Sequence, residues 1–167
     1  LDKLECWLEI VQKADVIIYL AGNTSVTVAD QDPLVDMNLS TIPINLLIKA
    51  CRTLNKKPRV VFASTATIYG FTEQLPVKED LPANPCTFYD LHKYFVENQL
   101  ALATQLGFLE GVTLRIANVY GPSFASSSSI DRGIMNKIIA LALEGQVITL
   151  YGGGNYIRDY VYIDDVV

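Results

Sequence analysis

Two short apolar runs constrain the fold more than any other feature of this sequence. They cover residues 15–21 (DVIIYLA) and 59–63 (RVVFA), and both are apolar nearly throughout. Strands of a parallel sheet that is covered on both faces have this composition, whereas strands with one face in water alternate. The two runs therefore predict central strands of a parallel sheet.

The segment between these runs predicts a helix. Asp32 can cap it, and Pro33 can open it because the first helical turn needs no backbone N–H donor. Pro43 falls inside the helix and is expected to kink it. Apolar residues that recur at helical spacing are expected to face the core: Leu34, Met37, Leu39, Leu46, Leu47 and Ala50.

Helix and strand signals keep alternating along the rest of the chain. A helix is predicted over residues 87–106, with Thr87 as its N-cap and Gly107 at its end. A strand over 112–117, a loop through 121–129, a helix over 131–144 and a strand over 147–151 follow. This alternation predicts an α/β fold, a doubly wound parallel sheet with right-handed crossovers. The core stripe of the 87–106 helix is expected to include Leu91, Phe95, Leu100 and Leu102.

The two ends of the sequence suggest that the fold is incomplete at its N-terminus. The chain opens inside an apparent helix, LDKLECWLEIVQKA, and stops at IDDVV, which resembles the first turn of another helix. The spacing G-x-G-x-x-G of dinucleotide-binding folds does not follow any predicted strand. Gly152-Gly153-Gly154 comes nearest, but Ile157 holds the required later position. If the fold binds a dinucleotide, its first β-α-β unit is expected upstream of residue 1.

Charge and cysteine content exclude several classes of partner. The net charge of −5 over 167 residues provides no broad positive field for nucleic acid or an anionic membrane surface. No continuous apolar run approaches the roughly 18 residues of a membrane span. Cys6, Cys51 and Cys86 are widely separated, so neither a disulfide framework nor a metal site is predicted. A cytoplasmic location is the expectation.

The sharpest chemical signal is a tyrosine and a lysine four residues apart, Tyr89 and Lys93. On a helix they share one face, although a surface pair of an amphipathic helix has the same spacing. Thr65 follows the strand at 59–63, and open α/β sheets bind ligands at the carboxyl ends of their strands. A nearby ammonium would favour the phenolate, so Tyr89 could act as general base toward a substrate hydroxyl that Thr65 holds. His92 is offset from this face by one residue, so an exposed or packing role is expected.

Six blocks in order resemble the extended short-chain dehydrogenases and reductases, specifically the NAD-dependent nucleotide-sugar epimerases and dehydratases. The blocks are LAGNTSV at 20–26, Asn38, STATIYG at 64–70, YDLHK at 89–93, RIANVYGP at 115–122 and RDYVYIDDV at 158–166. The resemblance implies a Rossmann-like fold. Residues 1–122 would form the C-terminal part of the dinucleotide-binding domain, and residues 123–167 the start of the nucleotide-sugar-binding region.

The same resemblance implies a role for each matching residue. The catalytic residues would be Thr65, Tyr89 and Lys93. The cofactor, NAD or NADP, would be contacted by Leu20, Ala21, Gly22, Thr24, Asn38, Tyr89, Lys93 and Ala117. The nucleotide-diphosphate sugar would be contacted by Thr65, Asn118, Tyr151 and Arg158. Thr41 departs from the family, because relatives usually have glycine there.

The residues after Thr65 favour epimerisation among the reactions of this family. Similar dehydratases carry an acid pair where this chain has Ala66 and Thr67, and decarboxylating relatives commonly keep a glutamate there. The resemblance thus implies a nucleotide-sugar epimerase that transiently oxidises the sugar to a ketone, with a homodimer through the Tyr/Lys helix. A reductase or dehydratase of the same family is one alternative. A non-catalytic cofactor-sensing module is another.

Overall fold

The computed structural model describes residues 1–122 and 134–167. It consists of two compact units, Leu1–Arg115 and Ile116–Val167. The first contains the helices α1 (Leu4–Lys13), α2 (Val26–Gln31), α3 (Pro33–Ser40), α4 (Ile42–Leu54) and α5 (Phe88–Gln105), and the strands β1 (Val16–Tyr19), β2 (Arg59–Thr65) and β3 (Glu110–Ile116). The last residue of β3 already belongs to the second unit.

The three strands form one sheet in the order β1-β2-β3. β1 and β2 are parallel, with Val16 opposite Arg59 and Tyr19 opposite Phe62. The predicted strands at 15–21, 59–63 and 112–117 are thus confirmed with small shifts of their ends. The predicted α/β class with a parallel sheet is confirmed as well.

The core lies on one face of this sheet. Trp7 of α1, Leu47 of α4 and Leu100 of α5 belong to this core, together with the strand residues Ile17 and Phe62. The burial of β1 alternates, because successive side chains of a strand point to opposite faces. Ile18 is 68% exposed on the other face. The expectation that β1 is covered on both faces is therefore wrong for this chain.

The helical run after β1 is divided where the prolines predict. The Asp32 side chain accepts a hydrogen bond from the Val35 backbone N–H at 3.0 Å and so caps α3. α3 ends at Ser40 and α4 begins at Ile42, with Pro43 in its first turn. In place of one helix kinked at Pro43, the structure has two helices separated at Thr41. The sequence did not predict the short helix α2, which precedes α3.

Among the described residues, the run Pro33–Leu54 is apolar and long enough to cross a membrane, judged by length and composition alone. Of its most apolar stretch, 44% is buried inside the fold. Ile44, Leu47 and Ala50 are fully buried in the core of the first unit. The run is therefore explained as a core element.

The predicted core stripes of α3 and α5 are only partly correct. Leu100 of α5 and Leu47 and Ala50 of α4 are buried. α3 and α5 instead bury polar residues such as Asp36 and Lys93, which are 0% and 6% exposed. Six apolar residues that the helical spacing placed in the core are instead 40–62% exposed: Leu34, Met37, Leu39, Leu91, Phe95 and Leu102.

Helix α5 begins and ends as predicted. The Thr87 side chain accepts a hydrogen bond from the Asp90 backbone N–H at 3.2 Å. Gly107, just after the helix, has φ +73°, a left-handed conformation that glycine adopts without strain. The helix therefore holds Tyr89 in its first turn and Lys93 one turn later.

The second unit contains α6 (Ile134–Leu143) and two short parallel strands, β4 (Asn118–Tyr120) and β5 (Tyr160–Tyr162). The predicted strand at 147–151 is wrong, since Tyr151–Gly154 forms a 3-10 turn with Gly152 and Gly153 in left-handed conformations. Three successive glycines permit this turn. The β-rich composition of the run before them does not predict it. The expected helical turn at the chain end is a 3-10 turn, Ile163–Asp165. The serine run at 126–129 and the predicted helix start at 131–133 lie outside the described residues.

Candidate active site

The loop after β1 leads from the sheet edge into α2. Leu20 is 68% exposed at the tip of the strand. Asn23 closes the loop, because its amide donates to Ser25 O at 2.8 Å and its carbonyl accepts from the Ser25 N–H at 2.9 Å. The predicted cofactor contacts of this segment, Leu20, Ala21, Gly22 and Thr24, therefore share one ordered turn at the carboxyl end of β1.

Thr65 is the last residue of β2 and caps the 3-10 turn Ala66–Tyr69. Its Oγ1 accepts from the Thr67 N–H at 3.3 Å and lies 2.8 Å from Thr67 Oγ1. The Thr67 hydroxyl donates in turn to Asp90 Oδ1 on α5. Thr65 is thus connected through one side chain to the residue that follows Tyr89.

Lys93 reaches the same end of β2 from α5. It is 6% exposed, and its ammonium donates to Ala63 O at 3.0 Å. The ammonium lies 4.9 Å from the centre of the Phe62 ring and 5.8 Å from that of Tyr89. Burial lowers the pKa of Lys93, and the negative charge of Asp36 opposes this shift.

Lys93 therefore bonds to β2 two residues before Thr65, and the Tyr89 ring lies 5.8 Å from the Lys93 ammonium. One expectation about them is wrong in this structure. The amine was expected to raise the acidity of Tyr89, but burial raises the pKa of Tyr89 to about 12, with smaller contributions from Asp90 and Asp36. Desolvation disfavours the phenolate, and the two neighbouring carboxylates disfavour it further.

A buried acid that the sequence reading missed connects the loop, α3 and α5. Asp36 is 0% exposed and accepts a hydrogen bond from the Asn23 amide at 2.7 Å. Its other oxygen is paired with His92 Nδ1, and the His92 side chain is 12% exposed. The expectation of an exposed or packing role for His92 is corrected to that of a hydrogen-bond partner of Asp36. Asp36 and His92 are 56 residues apart, so no local spacing could have shown this pair.

Asp90 is the second buried acid that sequence reasoning did not single out. It is 3% exposed and accepts hydrogen bonds from the hydroxyls of Thr67 and Thr87. In the sequence it reads as an ordinary acidic residue in the first turn of a helix. Its position directly after Tyr89 was the one sequence feature that could have marked it as a site residue.

The other predicted site residues are Asn38 on α3 and four residues of the second unit. Asn38 has an exposed side chain on α3. In the second unit, Ala117 precedes β4, and the Asn118 amide donates to Asp159 O at 2.9 Å. Arg158 donates to Ile157 O at 2.8 Å and lies 5.3 Å from the centre of the Tyr156 ring. Tyr151 begins the 3-10 turn before them. Their roles stay predictions.

Among the described residues, no group of three or more His, Cys, Asp or Glu side chains could hold a metal ion.

A parallel α/β sheet with a threonine at a strand end and a Tyr/Lys pair on the next long helix defines a class of dinucleotide-dependent proteins. Within that class, a sequence profile of the NAD dependent epimerase/dehydratase family matches residues 1–167. The chain therefore belongs to this family, as the motif blocks predicted.

Comparison with individual proteins agrees. The chain is 31% identical over 153 residues to a putative UDP-glucose 4-epimerase of Methanocaldococcus jannaschii, covering 91% of this chain and 49% of that protein. It superposes with a TM-score of 0.88 and 28% identity on a crystal structure of Thermotoga maritima UDP-glucose 4-epimerase with UDP-glucose, covering 99% of this chain and 54% of that one. Thermus thermophilus UDP-glucose 4-epimerase in complex with NAD gives a TM-score of 0.83 at 30% identity, covering 99% and 55%. The chain thus spans about half the length of these relatives. Other relatives are named as dehydratases and decarboxylases.

Proposed function

We propose that this chain carries the catalytic residues of an NAD-dependent nucleotide-sugar epimerase. The observation that supports this most directly is the bond from Lys93 to Ala63 O, two residues before Thr65 at the carboxyl end of β2, with Tyr89 one helical turn from Lys93. Residues 1–122 would supply the C-terminal part of the dinucleotide-binding domain. Residues 123–167 would begin the nucleotide-sugar-binding region.

The residues at the strand ends fit a nicotinamide dinucleotide. Leu20 presents an exposed apolar side chain at the tip of β1, against which a ring can lie. The Lys93 ammonium has three donors, one of which bonds to Ala63 O, and its other donors suit ribose hydroxyls. The segment 20–24, Asn38, Tyr89 and Ala117 would complete the contacts. When bound, NAD would supply reversible hydride transfer to and from the sugar carbon.

The side chains supply the proton chemistry. Tyr89 Oη would take the proton of the sugar hydroxyl and later return it, while Thr65 holds that hydroxyl. The pKa of Tyr89, about 12 in this structure, requires positive charge nearby for the phenolate to form at neutral pH. Lys93 is the cation on the same helix face. Asn118 and Arg158 would contact the nucleotide, since an arginine fork can bond two phosphate oxygens.

Epimerisation is favoured over elimination because Ala66 and Thr67 carry no carboxylate next to Thr65. A panel experiment separates the reactions. The complete protein is incubated with NAD and UDP-glucose, UDP-glucuronic acid or UDP-N-acetylglucosamine, and the products are resolved by chromatography and weighed. An isomer of unchanged mass supports epimerisation. Loss of water or of carbon dioxide, or net consumption of added NADH, contradicts it in favour of a dehydratase, decarboxylase or reductase. Cofactor binding without any product would favour the sensing module.

We further propose that the complete protein forms a homodimer through a bundle that includes α5, the Tyr/Lys helix. Phe95, Leu91 and Leu102 lie along one side of α5 with 47–56% of their surface exposed. Apolar patches of this kind commonly mark interfaces. Light scattering is expected to give twice the chain mass for the wild-type protein and a lower mass for Phe95→Lys. A monomeric wild-type protein would contradict the proposal.

A further inference from the structure

Lys93 is a buried cation that touches only neutral groups. It is 6% exposed, and its ammonium donates to the carbonyl of Ala63 at 3.0 Å. The centres of the Phe62 and Tyr89 rings lie 4.9 and 5.8 Å from the ammonium. Among the described residues, no carboxylate forms a direct ion pair with it. Because burial disfavours a charged amine, the charge on Lys93 needs a negative group at longer range.

Ionisable side chains surround Lys93 on α5 and on the elements packed against it. They are Asp30 of α2, Asp36 of α3, Tyr69 of the turn after β2, Arg115 of β3, and Tyr89, Asp90, His92, Tyr94 and Glu97 of α5 itself. Four of these are acids, and the bonds that each acid makes decide how much of its charge is left for Lys93.

Glu97 lies one helical turn after Lys93, but its charge is already compensated. The Arg115 guanidinium donates to both carboxylate oxygens of Glu97 at distances of 2.7–3.1 Å. A bidentate pair of this kind satisfies the carboxylate and the guanidinium together. Glu97 therefore offers Lys93 little free negative charge.

Asp30 and Asp90 are occupied at the start of the helix. Asp30 has an exposed side chain, and its carboxylate accepts from the Phe88 backbone N–H at 3.3 Å. Asp90 accepts hydrogen bonds from two threonine hydroxyls, one of which caps the helix. Both acids therefore hold the first turn of α5.

Asp36 differs from the other three acids in its burial and in its partners. It is 0% exposed, and one of its oxygens accepts from the neutral Asn23 amide at 2.7 Å. The other oxygen is paired with Nδ1 of His92, the residue before Lys93. A neutral imidazole donates such a bond through its Nδ1–H group, and the charge of Asp36 is then not cancelled. Burial lowers the pKa of Lys93, and the negative charge of Asp36 opposes this shift.

We propose that Asp36 is the counter-charge that keeps Lys93 protonated, and that its bonds to Asn23 and His92 hold this charge beside α5. The importance of Asp36 for catalysis rests on the proposed function, in which only a charged Lys93 supports the phenolate of Tyr89. Asp36 is thus a positioning residue, which acts on the reaction through Lys93.

The charge of Asp36 has a signature that separates it from a purely structural role. It favours the protonated form of Lys93, and it also raises the pKa of Tyr89. Removing the charge alone should therefore lower both pKa values. A variant that merely loosened the fold would admit water to both groups, and relief of desolvation would raise the pKa of Lys93 while lowering that of Tyr89.

Asp36→Asn removes the charge and can keep both hydrogen bonds. Its amide oxygen accepts from Asn23, and its amide nitrogen donates to His92 in the other tautomer of the ring. Carbon-13 NMR of ε-labelled lysines in the complete protein follows Lys93, whose signal is identified by its absence in Lys93→Met. We expect the titration midpoint of Lys93 to lie at lower pH in Asp36→Asn than in the wild type.

Asp32→Asn is the matched control. Asp32 caps the same helix α3 with an exposed side chain, and asparagine caps a helix about as well as aspartate does. The control therefore removes the same charge without changing the surroundings of Lys93, and its Lys93 midpoint should equal that of the wild type.

Three NMR results would overturn the proposal. They are a Lys93 midpoint in Asp36→Asn that is unchanged or higher, an equal fall in Asp32→Asn, and a Lys93 that is already neutral at pH 7 in the wild type. The last of these needs no variant, so the proposal can be refuted even if Asp36→Asn does not fold.

Kinetics on the nucleotide sugar that the panel identifies test the link to catalysis. The pH profile of kcat reports the ionisations of Tyr89 and Lys93 as a coupled pair. Both limbs of this profile should move to lower pH in Asp36→Asn and stay in place in Asp32→Asn. Limbs that stay in place in Asp36→Asn would refute the role of Asp36 in the reaction.

The two kinds of measurement distinguish failure of this inference from failure of the proposed function. If the Lys93 midpoint does not move while Tyr89→Phe is inactive, the inference fails and the proposed function stands. If Tyr89→Phe is fully active, the proposed function fails, and a lower Lys93 midpoint in Asp36→Asn still supports Asp36 as the counter-charge.

Discussion

Replacing Asp36 by alanine removes a carboxylate that joins three elements of the first unit. Asp36 lies on α3, is 0% exposed, and bonds to the Asn23 amide at 2.7 Å and to His92 on α5. Each hydrogen bond to a charged group contributes about 1.5–3 kcal/mol. Removing the carboxylate also leaves the Asn23 amide and the His92 ring without this partner, and an unsatisfied buried group costs about 1–3 kcal/mol. We therefore expect Asp36→Ala to lower the free energy of unfolding by about 3–5 kcal/mol.

Urea unfolding followed by circular dichroism measures this loss. With an m-value of about 2 kcal/mol/M, the midpoint should fall by roughly 2 M. Asp15→Ala is the matched control, since Asp15 pairs with Lys56 at 3.2 Å but its side chain is 93% exposed. An exposed pair of this kind is worth about 0–1 kcal/mol. Equal losses for the two variants would refute the assignment of Asp36 as the buried connection between the loop and α5.

Two further predictions concern a buried phenol and a crowded glycine. Tyr19 Oη is buried with no hydrogen-bond partner among the described residues, and burial raises its pKa to about 12 from an unfolded value near 10. The stability this gives is complete below pH 10 and is lost as the pH rises through 12. Tyr19→Phe should therefore unfold less readily than the wild type in urea at neutral pH, and its stability should fall less between pH 10 and 12. An alkaline loss of equal size in both proteins would contradict this. Gly70 has φ +65°, and a Cβ there would lie 2.2 Å from Asn84 O, whereas Gly145 has the same φ with nothing within 4 Å. Thermal melts should show a loss of about 1 kcal/mol for Gly145→Ala, from backbone strain alone, and at least about 2 kcal/mol more for Gly70→Ala. Similar melting temperatures would show that the space around Gly70 is not limiting.

Features that depend on a few neighbouring residues were predictable from the sequence. The cap at Thr87, the stop at Gly107 and the break near Pro43 each follow from the conformational limits of one residue. The strand at 59–63 could be recognised because its β-branched residues form a continuous apolar run.

Features that depend on what packs against a segment were not predictable. Helical spacing identifies an apolar stripe on α5 but not whether Leu91 and Phe95 face this chain's core or its surface. The run at 147–151 has strand composition, yet no strand forms there and the glycines after it turn the chain. A local pattern does not contain the partner that would decide either case.

The same limit applies to the candidate site. Thr65, Tyr89 and Lys93 could be proposed from spacing and from the order of the motif blocks. The buried acids around them could not, because Asp36 meets His92 across 56 residues and Asp90 meets Thr67 across 23. The rise in the pKa of Tyr89 likewise depends on burial that only the folded chain shows.

The most direct test of the proposed chemistry is the turnover of Tyr89→Phe in the complete protein. Wild-type and variant are incubated with NAD and the nucleotide sugar that the panel identifies, and the isomers are separated over time. Loss of a general base should lower kcat about a hundred- to ten-thousandfold, while NAD stays bound and the melting temperature changes little. Turnover equal to the wild type would show that the phenol of Tyr89 does not move the substrate proton.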